Sequence, residues 1–247
     1  MKDTLTICRT TLSRLLQIKT LYVLLLLAMV FNSATALYGD LTAGREKYLM
    51  IDTGYALMSV IGFLSALVVI FDLARDLRHK LVQTLLTKPL GRDHYLLGKF
   101  WGIMVFTLIN VSLFSIGFGV VLWFSKIWVG WGIMKVLVLT LSSTAMLIAI
   151  GILLSVFSTS IGEVPPAIGM LLLFWLGNAS QDIASTGAFG SFIFGIIPNF
   201  DLLNIKMELG NYFSVSWAYV WGGALYAALY TTFLMGIAVL IFRKQDI

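Results

Sequence analysis

Few residues in this chain could do chemistry. His79 and His94 are the only imidazoles among 247 residues, and Cys8 is the one thiol. Hydrolysis within a membrane needs a nucleophile with a base in reach, or a cluster of metal ligands. Both histidines fall in one polar stretch, and no apolar stretch pairs a serine with a histidine or two acids with each other. A single cysteine excludes an internal disulfide and a cysteine-based metal cluster. The segment Gly91–Lys99, GRDHYLLGK, has the look of a phosphate-binding loop. That loop requires G-x-x-x-x-G-K followed by Ser or Thr. Here six residues separate Gly91 from Gly98, and Phe100 follows Lys99. The sequence therefore leads us to expect no catalytic residue, no metal and no cofactor, and any nucleotide would be bound by another chain.

The elements that would position these residues are set by composition. Hydrophobic residues make up 59% of the chain and charged residues 12%, against about 25% charged in a soluble domain. The apolar residues also fall in long blocks, so the expected solvent is a bilayer. We expect an all-α polytopic protein forming one domain over residues 1–247, with about six transmembrane helices. The spans read as Leu21–Leu37, Tyr55–Leu73, Phe100–Phe124, Ile133–Phe157, a fifth from Val164 running out into Asn178, Gln181 and Asp182, and Val215–Phe242. Each approaches the ~20 residues that cross ~30 Å of hydrocarbon. Within the outer segment 178–214, the apolar piece Gly187–Ile197 is too short to span and reads as re-entrant or interfacial.

Residues 2–18 hold no span. At about 100° per residue, Leu5, Ile7, Cys8, Leu12, Leu15, Leu16 and Ile18 share one half of a helix. Lys2, Thr6, Arg9, Thr10, Ser13, Arg14 and Gln17 share the other. This basic amphipathic helix suits the headgroup region of an anionic leaflet.

Orientation follows from Lys and Arg. With the N-terminus inside, the inner set is Lys2, Arg9, Arg14, Lys19, Arg75, Arg78, Lys80, Lys88, Arg92, Lys99, Arg243 and Lys244, twelve in all. The outer set is Arg45, Lys47, Lys126, Lys135 and Lys206, five. That bias places both termini in the cytoplasm of a plasma-membrane protein. It also accounts for the net charge of +5 without a nucleic-acid partner. Ala34-Thr35-Ala36 imitates a signal-cleavage site, but the twenty-residue amphipathic leader favours an uncleaved first span. Asn178-Ala179-Ser180 matches a glycosylation sequon by coincidence. Asp52 reads as the N-cap of the second span. Asn32 and Thr35, with Asn178 and Asp182, are candidates for lining a path, although polar residues in a span more often serve helix packing.

The most organised polar stretch is Leu73–Lys99. Leu73, Leu77, Leu81 and Leu85 recur every four residues, while Asp72, Asp76, His79, Lys80 and Gln83 face the other way. Asp76 and Lys80 form an i,i+4 pair in the favourable order. Pro89 and Gly91 end the helix, and Asp93 is placed to cap the next. The expected product is a short amphipathic helix on the inner face that shows a charged side to the cytosol.

The stretch RDLRHKLVQTLLTKPLGRDHYLLGK, Arg75–Lys99, resembles the intracellular loop of permease subunits of type-2 ATP-binding-cassette transporters. That family places an acidic residue, a leucine-rich helix, Pro with Arg three residues later, and then Gly-Lys. Asp76, Leu85-Leu86, Pro89, Arg92 and Gly98-Lys99 stand at those positions. IIPNFDLLN, Ile196–Asn204, is similar to the family's outer segment, and the ending FRKQDI to its basic-acidic tail. Lys80-Leu81 depart from the Gly-Thr of many members. The resemblance implies a membrane subunit of an exporter, in a group that includes permeases linked to multicopper-enzyme maturation. It implies a separate ATPase subunit docked on the coupling helix through Arg75, Asp76, His79, Lys80 and Gln83. It also implies a second permease copy or paralogue, with lipids around both. The alternative is a self-sufficient secondary transporter or channel. Such proteins bury ionisable groups at mid-membrane, whereas here every Asp, Glu, Lys and Arg maps to a span end or a loop.

Overall fold

The computed structural model describes residues 2–37, 46–78, 91–127, 130–158, 162–178, 197–205 and 215–244. Helices α1 (Lys2–Leu16), α2 (Lys19–Leu37), α3 (Glu46–Arg78), α4 (Arg92–Phe124), α5 (Gly132–Phe157), α6 (Val164–Asn178) and α7 (Trp217–Lys244) follow in order. A 3-10 turn, Asp201–Leu203, lies between α6 and α7. Among the described residues there is no strand.

Among the described residues, four stretches are long and apolar enough to cross a membrane: Leu49–Leu73, Asp93–Phe124, Gly132–Phe157 and Trp217–Lys244. The molecule is thus an all-α, membrane-embedded protein. α2, Lys19–Leu37, contains the whole of the expected first span, Leu21–Leu37. The 15 residues of α6 reach about 22 Å at ~1.5 Å per residue. Pro165 and Pro166 stand in the first turn of α6, where no intrahelical N–H is required.

α5 is the central post. It is apolar around its whole circumference, and it packs against α3, α4, α6 and α7. A helix with no polar face has to be enclosed by protein or lipid. Three of its hydroxyls are satisfied locally: Ser142, Ser143 and Thr144 donate to the carbonyls of Val138, Thr140 and Leu141 at 2.8, 2.9 and 3.0 Å. Such back-bonding keeps the chain's polar atoms from facing hydrocarbon. Outward, large side chains such as Trp123, Trp175, Trp221 and Phe233 stand exposed, as a lipid-facing surface would have them.

α1 is the amphipathic helix that the sequence predicts, but its main neighbour is α4. Ile7, Thr11 and Leu15 turn toward the bundle, whereas Leu5 is 71% exposed. Gly98 and Gly102, one helical turn apart on α4, make this approach possible. A Cβ on Gly98 would lie 2.7 Å from Ile7 Cβ, and one on Gly102 would lie 2.9 Å from Thr11 Cβ and 3.0 Å from the Cys8 carbonyl oxygen. Small residues four apart let two backbones touch, as in membrane helix pairs.

Two expected helix starts are corrected. Asp52 is an exposed residue inside α3, six positions past its first residue, and not an N-cap. Apolar content begins near Tyr55, but helix geometry extends beyond it because Met50 and Ile51 are buried. At α4 the residue at the cap position is Gly91, with no side-chain cap. Asp93 lies within the first turn, and its carboxylate accepts from Arg243 Nε at 2.7 Å.

Candidate functional site: a shared-charge cluster at the base of the polar segment

Asp72 and Asp76 sit four residues apart on α3, so their carboxylates share a face. They are 5% and 3% exposed, and between them lies Lys99 of α4 at 2%. Lys99 Nζ donates to Asp72 Oδ2 and contacts Asp76 Oδ2 at 2.6 Å. Arg14 reaches over from α1 and contacts the other two oxygens, Asp72 Oδ1 at 3.1 Å and Asp76 Oδ1 at 2.9 Å. Each carboxylate therefore has one oxygen on the lysine and one on the arginine. Tyr95, one turn before Lys99, donates its hydroxyl to Asp76 Oδ2 at 2.9 Å.

Two formal negative charges and two positive ones meet here. Burying any one alone would be prohibitive. Burial pushes the Asp76 carboxyl up, but the charge of Lys99 and hydrogen bonds from Lys99, Arg14 and Tyr95 outweigh it and hold it below the ordinary aspartate value. Arg14 remains half in solvent. Partial burial favours its neutral form, yet Asp76 and Asp72 hold it firmly protonated. Asp76 and Arg14 stay charged near neutral pH.

The cluster extends to the rest of that end of the bundle. Tyr95 stacks on Phe242 of α7 with ring centroids 6.3 Å apart. Arg243, next to Phe242, bonds Asp93. Thr4 of α1 shares a hydrogen bond of 3.0 Å with His94 Nδ1. Four helices are joined within three turns of α4.

This placement corrects one expectation. Asp76 does not face water as a contact for a partner; it is enclosed by α1, α3 and α4. The reason is electrostatic: with Asp72 and Lys99 at adjoining helix ends, an inward Asp76 completes a neutral set. The side chain of Arg75 and residues His79, Lys80 and Gln83 lie outside the described residues, as does Asp182. Among the path candidates, Asn32 is buried on α2 and its amide atoms find no hydrogen-bond partner. Thr35 donates to the Asn32 carbonyl at 2.6 Å. Asn178 instead lines a cavity between α3, α5 and α6, to which neither Asn32 nor Thr35 belongs. The structure does not bring these residues together.

Sequence reasoning passed over Asp72, Lys99 and Arg14 as a unit because it counted charges for topology alone. The signal was present: two acids four apart at the end of one span, with a lysine at the start of the next. Among the described residues, no three His, Cys, Asp or Glu side chains stand together in a way that could hold a metal ion. No protein-family model matches this chain, and no curated protein matches it.

Proposed function

We propose that this chain is the membrane-spanning subunit of an ATP-driven transporter of the type-2 ATP-binding-cassette class, of the exporter kind. The observation that carries the reading is the Asp76–Lys99 contact, 2.6 Å. These two residues flank the polar segment 79–90, and both belong to the motif that supports the resemblance. Joined, they make the inner ends of α3 and α4 a single rigid base. A push delivered to segment 79–90 by a cytoplasmic ATPase would move both helices together, and Arg14 would carry α1 along. Coupling of this kind needs a stiff connection; a fully paired buried cluster supplies one. A second copy or paralogue would complete the path, six spans would cross the plasma membrane, and both termini would be cytoplasmic. The substrate would move by alternation between conformations.

With Asp76 enclosed, the ATPase contact narrows to Arg75, His79, Lys80 and Gln83. The test is co-purification from native membranes of wild type, a Lys80→Glu/Gln83→Glu double variant and Asp76→Asn. The double variant should lose its ATPase while its own yield is unchanged. Asp76→Asn should lower the yield itself. Wild type that retains no ATPase and transports alone in liposomes would instead point to a self-sufficient secondary transporter or channel.

A further inference from the structure

Remote from Lys99, α3, α5 and α6 part around a cavity of about 290 Å³. Ala56 and Ser59, Thr140 and Ser143, and Trp175 and Asn178 form its walls, and the segment from Phe200 to Ile205 roofs it. Along α3 it lies roughly 24 Å from the ion cluster, at ~1.5 Å per residue.

The roof is fixed in place. Phe200 N–H donates to the Gly177 carbonyl at 3.2 Å. A Cβ on Gly177 would fall 2.4 Å from Phe200 Cδ2 and 2.5 Å from the Pro198 carbonyl oxygen, so only glycine lets the segment seat. Asn199 N–H donates to Tyr226 Oη at 3.0 Å, and Tyr219 Oη donates to the Leu202 carbonyl at 2.7 Å. A cavity whose walls are already fixed loses little entropy on binding.

Its chemistry selects among ligands. Among the described residues, no Asp, Glu, Lys or Arg stands in its lining, so a charged ligand would find no counter-ion among them. Phe174 packs between Phe63 and Phe200, with centroids at 4.8 and 5.6 Å, and gives an aromatic flank suited to an apolar body. Tyr55 Oη, also in the lining, is buried without a hydrogen-bond partner among the described residues and is free to donate to a ligand oxygen, whereas four other polar wall groups are committed as donors. Ser59, Ser143 and Thr144 donate to the carbonyls of Tyr55, Thr140 and Leu141 at 3.1, 2.9 and 3.0 Å. Asn178 Nδ2 donates to the Phe174 carbonyl at 2.8 Å. What these hydroxyls keep are oxygen lone pairs, which accept.

We propose that this cavity is a binding site for an apolar alcohol: an uncharged amphiphile with a hydroxyl that donates to the Ser/Thr wall. The site lies within this chain and goes beyond the transporter reading without depending on it.

The test uses the full chain in lipid nanodiscs, with bromodecanol as a quencher of Trp175 fluorescence. Expected is a saturable quench that unbrominated decanol reverses and that disappears in Trp175→Phe. Decane and decanoate should compete about tenfold more weakly than decanol, the loss of one buried hydrogen bond or the burial of an unpaired charge. Ser143→Phe, which fills the cavity from α5, should abolish the saturable part. Ala56→Leu fills it from α3 and serves if the first variant does not fold. Quenching that rises linearly without saturation, or decane or decanoate competing as well as decanol, overturns the proposal. So does an undiminished saturable quench in a folded filling variant.

Discussion

Lys99 is the residue on which this end of the bundle depends. Its ammonium is buried against two carboxylates, and no solvent replaces it if it is removed. Lys99→Met should cost about 3–5 kcal/mol, the usual effect of breaking a buried pair from one side, read as a lowered melting point in detergent. Lys99→Met combined with Asp76→Asn should recover part of that loss, because one acid then matches the one remaining cation, Arg14. Acid should act on the same groups. The Asp76 carboxyl is held below its ordinary value of 3.8, so its ionised form stabilises the fold above that pH. This contribution fades as pH falls through the lower native value. Acid melting curves of wild type and Asp76→Asn should converge at low pH and separate above it. These residues were visible in the sequence as types and spacings. Their partners were not, because Arg14 reaches Asp72 across 58 positions, and a helical wheel of α1 shows polarity without showing what the polar face meets.

At the scale of the element, the contact of α1 with α4 rests on two glycines. Gly102→Leu should drive α1 away, since even a Cβ there would meet Thr11 Cβ at 2.9 Å. Cys8 reports this directly. It is the only cysteine, it is half-buried, and burial raises its thiol pKa, which slows alkylation. Maleimide labelling of Cys8 should speed up in Gly102→Leu and stay near wild type in a control on the exposed side, Arg9→Gln. The amphipathic character of α1 was legible in its sequence, but its seat was not. A lipid headgroup region and an apolar helix groove ask for the same stripe, and Thr11, buried under Gly102, belongs to neither class by polarity. Helix limits were legible where hydropathy and helix end together, as at Phe124 and Phe157. They were missed at Asp52 and Asp93, where the helix outruns the apolar core.

At the scale of the whole molecule, the class was legible because long apolar blocks leave no other solvent than lipid. The four long helices fall where the second, third, fourth and sixth spans were expected. α2 contains the whole of the expected first span, and α6 starts at Val164, where the fifth was expected. The charge count predicts orientation. Cysteine introduced at Lys2 or Lys244, in a Cys8→Ser background, should label only from the cytoplasm, and cysteine at Lys47 or Lys206 only from outside. Labelling of the Lys47 position from the cytoplasm alone would reverse the orientation.

The cluster of Arg14, Asp72, Asp76 and Lys99 carries no net charge, and this bears on how the protein senses its membrane. A unit charge moved through the full bilayer field gains or loses about 2.3 kcal/mol per 100 mV. A neutral set that moves as one body does no such work. Whatever displacement α1, α3 and α4 undergo together, the membrane potential neither drives it nor opposes it through these four groups. Asp72→Asn would leave one positive charge uncancelled and give the same displacement a voltage dependence.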